Sequence, residues 1–531
     1  MNPFASASFF NKLRPGSGEL KLPKIDFTPL ARPIFVRRAE ATDRFAVEGD
    51  DLQREILKSL LKKAAHTDIG RRHHFGQLAR ALDPYQEYRN LVAPVEYEDI
   101  RADVMRMVNG EKDVLWPGTV RNFAQSSGTS GGKSKYIPIT PEGLRTNHYQ
   151  GGFDSIAHYL RLNPSSRMFS GKGFILGGSF ANELHPTNPN VRVGDLSATL
   201  INRIPAAANM FRIPDKQTAL MPDWEKKLPA LAEAAELADV TNISGVPSWF
   251  LTVIKTICER RGVTKISDVW PNLEVFFHGG ISFEPYREEY RALTDPSKMH
   301  FLETYNASEG FFAVQNDFSD PAMLLILDAG VFFEFIPVEG GDPLPVWEVS
   351  EGEVYELLLT SANGLWRYRV GDTVRVESKA PLKIRIAGRT KSYINAFGEE
   401  LMEDNAERAM ASACQQTGAS ILNYTAAPLF ATDEHKGRHQ WLIEWEKKPD
   451  SIEHFRDVLD AELRALNSDY EAKRSHTIFL DLPEILTAKP GLFDFWLKSA
   501  GTHKLGGQRK VPRLSNTRAL IETILDLEKQ M

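Results

Sequence analysis

The sequence predicts an α/β protein, with a large N-terminal domain built on more than one sheet and a smaller α+β domain after about residue 390. Three observations predict it. From Phe174 to Ile386, short β-rich runs and helical stretches are separated by Gly/Pro turns. Beyond Gly388 the pattern changes to helix, hairpin and helix. A chain of 531 residues also accommodates roughly two to four domains of ordinary size. The expected division is 1–390 and 391–531, with a hinge near 388–398.

The elements follow in order. The first forty residues carry Pro3, Pro15, Pro23, Pro29 and Pro33 with little periodicity, and read as an arm lying over the rest. Leu52, Ile56, Leu57, Leu60, Leu61 and Ala64 recur at helical spacing and predict an amphipathic helix ending near Thr67 to Gly70. Strands are expected at Phe174–Leu176, Glu274–Phe277, Leu324–Leu327, Val331–Ile336, Val354–Leu359 and Leu365–Val370. Trp249 to Arg260 reads as a helix. In the second region, Glu403–Gln416 reads as a helix, while Ile421–Phe430 and Gln440–Trp445 read as a hairpin. Helices from about Ser451 and around Leu520 to Leu525 complete the chain.

Composition narrows the function. Hydrophobic residues make up 42% and charged residues 25%, the profile of a globular chain. Lys and Arg total 64 against 70 Asp and Glu, for a net charge of −6, and no long basic run occurs. Nucleic acid is therefore not an expected partner. The two cysteines, Cys258 and Cys414, are far apart and form neither a disulfide framework nor a CxxC motif. No secretory signal or membrane-length apolar stretch is visible, so a reducing, cytoplasmic location is expected.

Ser126-Ser127-Gly128-Thr129-Ser130-Gly131-Gly132-Lys133-Ser134-Lys135 is the densest chemical signal. Such a run cannot serve a core. Glycines let amides converge on an anion, hydroxyls add donors and lysines add charge, so it reads as a phosphate-binding loop rather than a linker. Gly132-Lys133-Ser134 matches only the end of a P-loop, because Gly128 is one place off register. Gly128-Thr129-Ser130-Gly131-Gly132 also satisfies G-x-S-x-G, which would make Ser130 a hydrolase nucleophile with Asp372 and His503 downstream. The preceding segment Asn122 to Ser126 is only half suited to the strand that an elbow needs.

Two further segments place polar groups at expected strand ends: Tyr305-Asn306-Ala307-Ser308-Glu309-Gly310 and Tyr368-Arg369-Val370-Gly371-Asp372. Singly, each could be a capped turn or a surface ion pair. Together with the glycine-rich loop they supply an aromatic ring for a base, a carboxylate for Mg²⁺ and a carboxylate for ribose hydroxyls, the parts of an ATP site.

The ordered series SSGTSGGKSK, YNASE and YRVGD, closed by Gln508 to Arg513, resembles the auxin-responsive promoter (Gretchen Hagen) family of acyl acid amido synthetases. That family is a branch of the adenylate-forming enzymes, and the resemblance spans about residues 50 to 515. It implies that a small carboxylic acid reacts with Mg-ATP to give an acyl-adenylate and pyrophosphate, and that an amino acid's amine then takes the acyl group. It also implies a C-terminal domain that rotates between the half-reactions.

Carried over by position, Ser126, Ser127, Gly128, Thr129, Ser130, Gly131 and Gly132 would hold the phosphates, with Lys133 and Lys135 supplying charge. Tyr305, Asn306 and Ser308 would contact the nucleotide and Glu309 the Mg²⁺, while the stretch Phe277-His278-Gly279-Gly280 would line the adenine pocket. Asp372 would bind ribose, and Arg389 and Lys391 would sit at the pivot. The resemblance is imperfect at two places. The lysine that many plant members carry at the hinge is replaced by Gly398-Glu399-Glu400, making Lys504 and Lys510 candidate replacements. The helix after the loop reads Gly151-Gly152-Phe153-Asp154 where relatives carry an arginine for the acid's carboxylate, so the acid is expected to be held differently. Alternatives are a thiol acceptor such as coenzyme A, or the Ser130 hydrolase. The oligomeric state is left open. His73-His74, and His435 with His439, lack partners at zinc spacing. Phe311-Phe312, Phe332-Phe333 and Trp249-Phe250 read as core, the first and last of these pairs also as possible walls of an acyl pocket.

Overall fold

The computed structural model describes residues 25–126, 135–180, 188–204, 209–280, 283–389, 393–394, 396, 399, 401–429, 437–467, 470–471, 474, 480–499, 511–515 and 517–531. Thr28–Ala41 is a helix where proline content predicted an arm. Pro29 falls in the first turn, whose amides have no helical partners to lose, and Pro33 is carried inside the helix. Charge holds this helix down. Arg38 is bidentate to Asp154 at 2.7 and 2.8 Å and also reaches Asp328 at 2.7 Å. The amphipathic helix runs from Phe45 to Ala64, starting earlier than its apolar spacing indicated, and buries Leu57, Leu60, Leu61 and Ala64.

The strands up to residue 389 are β1 (Asn122–Ser126), β2 (Lys135–Ile139), β3 (Lys172–Ile175), β4 (Arg192–Gly194), β5 (Arg212–Ile213), β6 (Val240–Gly245), β7 (Val275–Gly279), β8 (His300–Asn306), β9 (Phe311–Gln315), β10 (Met323–Leu325), β11 (Val331–Pro337), β12 (Leu344–Pro345), β13 (Val354–Ser361), β14 (Leu365–Lys379) and β15 (Leu382–Arg389). Strands β2, β1 and β4 form a small sheet. The others form one large sheet in the order β12-β11-β13-β14-β15-β10-β9-β8-β7-β6-β3-β5.

One half of the large sheet, β5 through β8, is parallel. Crossover helices such as Pro247–Arg261 cover it, as parallel strands require. The other half is antiparallel, and its strands are nearly continuous apolar runs: Val331–Phe335 and Tyr355–Ser361 are buried throughout. Phe332 and Phe333 are core residues, as expected, and so is Phe250.

The Tyr368–Asp372 motif does not end a strand as predicted. It lies inside the long β14, because β15 pairs with that strand as far as Lys379. What interrupts the ladder is a bulge. Glu356 pairs with Thr373 and Leu358 with Arg369, so Val370, Gly371 and Asp372 stand opposite Leu357 alone. Gly371 takes φ +84°, a conformation that any side chain would strain. Such a bulge re-aims the side chains it contains, and here that side chain is Asp372.

The C-terminal region has the predicted elements: the helix Glu403–Thr417, the antiparallel pair β18 (Ser420–Leu429) and β19 (Arg438–Lys447), and the helices Ile452–Leu466 and Ala519–Glu528. Before them, the two-residue strands β16 (Tyr393–Ile394) and β17 (Leu401–Met402) pair with each other. After them, β20 (Glu484–Thr487) joins β19 in parallel. Two hydrophobic clusters fill this region, and their buried members all come from Ile394 onward. The clusters of the large sheet draw their buried members from Phe45 to Ile384. Among the described residues no helix is long and apolar enough to cross a membrane.

Candidate functional site

A cleft of about 2030 Å³ opens where the C-terminal ends of the parallel strands meet the bulged part of β14 and the C-terminal region. Ligands of open α/β sheets bind at such strand ends. Gly279, Gly280, Tyr305, Asn306, Ser308, Glu309 and Asp372, all singled out from the sequence, line it together.

Gly279 ends β7, and a Cβ on it would lie 2.3 Å from the Thr304 carbonyl oxygen, so β7 and β8 come too close here for a side chain. β8 delivers Tyr305 and then turns tightly. The Ala307 amide donates to the Gly310 carbonyl at 2.8 Å, and the Gly310 amide returns a bond at 3.2 Å, which leaves Ser308 and Glu309 on the tip. Asn363 steadies that tip by donating to the Glu309 carbonyl at 3.4 Å. The Tyr305 ring packs edge-on against Phe312 at 5.0 Å, and its hydroxyl donates to Asp372 Oδ2 at 2.7 Å. Asp372 and Glu309 are each 6% exposed, so both carboxylates face the cleft from sheltered positions.

The glycine-rich segment is anchored but lies mostly outside the described residues. β1 and β2 pair with Ser126 opposite Lys135, so both ends of the segment enter and leave side by side. Tyr97 holds that exit by accepting the Tyr136 amide at 2.8 Å. Lys135 is half-buried at the base of the segment and is not part of the cleft wall. Ser127, Gly128, Thr129, Ser130, Gly131, Gly132 and Lys133 lie outside the described residues, as do Lys391, Lys504, Lys510 and His503. The Arg389 backbone ends β15 directly across from Asp372.

Two wall residues, Glu303 and His148, escaped sequence reasoning, whereas His278 and Arg513 belong to stretches it had singled out. Glu303 sits two positions before Tyr305 on β8, on the same face, and burial pushes its carboxyl up to about 7 against the pull of Arg385 and Arg287. The period-two rule applied to Tyr305 would have found it. His278, stacked on Phe283 at 4.2 Å, is driven down to about 3 by burial, and His148 down to about 4. Near the end of the chain, Arg513 of the Gln508–Arg513 run is bonded to Glu407 at 3.0 Å, Asn423 at 2.8 Å and the Tyr424 carbonyl at 3.2 Å. Burial raises Glu407 to about 7 even beside that guanidinium.

The two departures in the motif pattern have structural correlates. Asp154 is turned into the Arg38 pair instead of the cleft, and Gly151 leaves room for the Phe311 ring, which does line the cleft. Glu399 is buried and bonded to His439 at 2.7 Å, so both residues belong to the interior of the C-terminal region. Of the pairs read as possible pocket walls, Phe311 and Trp249 line the cleft, whereas Phe312 and Phe250 are core.

Three family profiles match successive parts of the chain. The profile of the GH3 family N-terminal domain matches residues 38–299, that of the central domain 324–389, and that of the C-terminal domain 404–519. The indole-3-acetic acid-amido synthetase GH3.15 of Arabidopsis thaliana is 24% identical over 562 residues, covering 88% of this chain and 91% of its own. The solved AtGH3.15 acyl acid amido synthetase in complex with 2,4-DB superposes with a TM-score of 0.75 at 21% identity, over 96% of this chain and 97% of that one. The 2-hydroxyisobutyryl-CoA ligase in its postadenylation state with R3-HIB-AMP shares the fold at a TM-score of 0.53 and 10% identity, over 98% of this chain and 97% of that one.

Proposed function

The chain belongs to the GH3 family, and on that premise we propose that its cleft adenylates a small carboxylic acid with ATP and passes the acyl group to the amine of an amino acid. The observation that carries this reading is the convergence of Gly279-Gly280, Tyr305 to Glu309 and Asp372, three segments far apart in sequence, on one cleft beside the anchored glycine-rich segment. A hydrolase built on Ser130 gives no reason for that convergence. The amine acceptor is favoured over a thiol by family membership.

Adenylation joins a carboxylate oxygen to the α-phosphorus of ATP as the α–β bridge breaks and pyrophosphate leaves with the electron pair. The amine then forms the C–N bond while the acyl carbon releases AMP, and a proton leaves the nitrogen. Neither step needs a nucleophilic side chain. The first depends on positioning and charge, which the residues in hand are suited to provide. Tyr305 offers a ring face for adenine, and its hydroxyl fixes the Asp372 carboxylate for the ribose hydroxyls. The turn carrying Ser308 and Glu309 would face the phosphates. A sheltered carboxylate such as that of Glu309 suits Mg²⁺, which prefers one or two carboxylates plus substrate phosphates, and among the described residues no dedicated cluster of metal ligands exists. Glu309 would hold that ion, whose charge would neutralise the phosphate oxygens. The cores that divide near residue 390 support a boundary and pivot at 388–398, with the C-terminal region turning between half-reactions.

Pyrophosphate release from Mg-ATP with pooled carboxylic acids and amino acids tests the reading. Acid-dependent release that falls steeply in Glu309→Ala and Asp372→Ala, with amide formation by the wild type without coenzyme A, is the expected result. Silence with every pool, with no ATP binding, would overturn it.

A further inference from the structure

His148 stands on the cleft wall, and among the described residues no hydrogen bond accounts for its Nε2. The sequence neighbours of His148 clamp its backbone. The Asn147 amide donates to the Phe311 and Ala329 carbonyls at 2.8 and 3.1 Å and accepts the Phe311 amide at 2.7 Å. The Tyr149 hydroxyl donates to the Leu200 carbonyl at 3.2 Å. Phe311 and Leu200 both line the cleft, so His148 is held between two parts of its wall. It also closes a π-helical turn, Leu144–His148, a distortion that turns residues away from the regular helical face and is frequent at functional sites.

His148 is 4% exposed, and among the described residues its Nε2 is sealed from solvent with no hydrogen-bond partner. Burial keeps it neutral near pH 7 by pulling its pKa to about 4, so it presents one donor and one acceptor. Two polar groups that line the same cleft are engaged within the chain: Asp195 Oδ2 accepts the Ser179 amide at 3.1 Å, and Ser197 Oγ accepts the Gly178 amide at 2.8 Å. A buried polar nitrogen without a partner costs folding free energy, and a ligand oxygen that meets it as the ring turns toward the cleft would satisfy it.

We propose that His148 is a specificity-determining residue that hydrogen-bonds an oxygen on the body of the acyl acid, remote from its carboxylate, so that hydroxy- or keto-bearing acids are preferred over plain hydrocarbon acids. The inference rests on the adenylation reading. The carboxylate itself must meet ATP beside Ser308 and Glu309, which leaves the wall at Leu200, Phe311 and His148 to the rest of the acid.

The test is pyrophosphate release from Mg-ATP with matched pairs, 4-hydroxyphenylacetate against phenylacetate and 3-hydroxybutyrate against butyrate. It is run with the full chain and with His148→Phe and His148→Gln. The wild type should favour the oxygenated member of at least one pair by about tenfold in kcat/KM, the worth of one good hydrogen bond. His148→Phe should erase that preference by lowering the oxygenated member alone. His148→Gln, which keeps a donor and an acceptor, should restore part of it. No preference in the wild type, or an equal fall for both members in both variants, would overturn the inference while leaving adenylation standing. Silence of the wild type with every acid would overturn both.

Discussion

The Tyr305 hydroxyl donates to Asp372 Oδ2 at 2.7 Å although three strands, β15, β10 and β9, stand between β14 and β8 in the sheet. In a flat sheet, side chains four strands apart would be separated by almost 20 Å, at about 4.8 Å per strand. The sheet must therefore curl at this point, and the Val370–Asp372 bulge turns the carboxylate toward the tyrosine. This one bond ties the parallel half of the sheet to the antiparallel half across the floor of the cleft.

Tyr305→Phe separates the ring from the bond. It keeps the aromatic face and removes the donor that orients Asp372, so KM for ATP should rise by about tenfold, the lower range for a hydrogen bond to a charged group, with kcat little changed. Asp372→Ala should cost about a hundredfold in kcat/KM for ATP, because the carboxylate itself is lost. Steady-state pyrophosphate kinetics at varied ATP check both. Equal effects of the two substitutions would show that the hydroxyl has a further role.

Away from the cleft, Arg367 and Glu334 form a buried pair at 2.8 Å, with side chains 3% and 1% exposed, and Arg367 also donates to the Val92 carbonyl at 2.7 Å. Breaking such a pair strands a buried charge. Glu334→Ala should destabilise the protein by about 3–5 kcal/mol, whereas exchanging both residues for apolar ones of similar volume should cost much less. Denaturant unfolding of the single and double variants decides it.

Much of this architecture was legible in the sequence because its signals are local. The β-rich runs between Gly/Pro turns became strands, and YNASE became a tight turn at a strand end. What was not legible depends on distant partners. The Tyr305–Asp372 bond links residues 67 apart through the curl of a sheet that no local pattern encodes. The bulge at Val370–Asp372 exists because β13 and β15 both continue past it. His148 and Glu303 are single polar residues in mixed segments, and only the assembled wall shows which way they face. The Thr28–Ala41 helix was hidden by Pro29 and Pro33, whose cost is offset by the ion pairs of Arg38 with two distant aspartates.

Three buried histidines give the protein an acid limit. His148 and His158 are pulled down to about 4 and His278 to about 3, in each case chiefly by burial. A folded-state pKa below the unfolded value of about 6.5 means that the unfolded chain binds more protons, so stability is fully present above that value and falls as pH drops toward 4. Unfolding should take up to about three protons from these groups across that window. Glu303 and Glu407, raised to about 7, work the other way because the folded protein holds more protons there, so the melting temperature should decline from pH 7 to 4 less than the histidines alone would dictate, and His158→Gln should remove close to one proton from the slope. A slope unchanged in that variant would place the acid sensitivity in other groups.

Gly151 couples the helix Tyr149–Leu162 to the cleft wall at Phe311. A Cβ at this position would lie 2.1 Å from the Phe311 ring, inside contact distance, so Gly151→Ala must displace a side chain that lines the cleft. The Phe311 backbone cannot follow, because Asn147 holds both its amide and its carbonyl. The ring must therefore swing into the space that the acid would occupy. Gly151→Ala should raise KM for the acid by about tenfold and leave KM for ATP unchanged, whereas Gly151→Ala combined with Phe311→Leu should recover acid binding because the smaller side chain clears the new methyl. A double-mutant cycle should return a coupling of about 0.5–3 kcal/mol, the range for residues in direct contact. Additive effects would mean that Phe311 relaxes without entering the acid site.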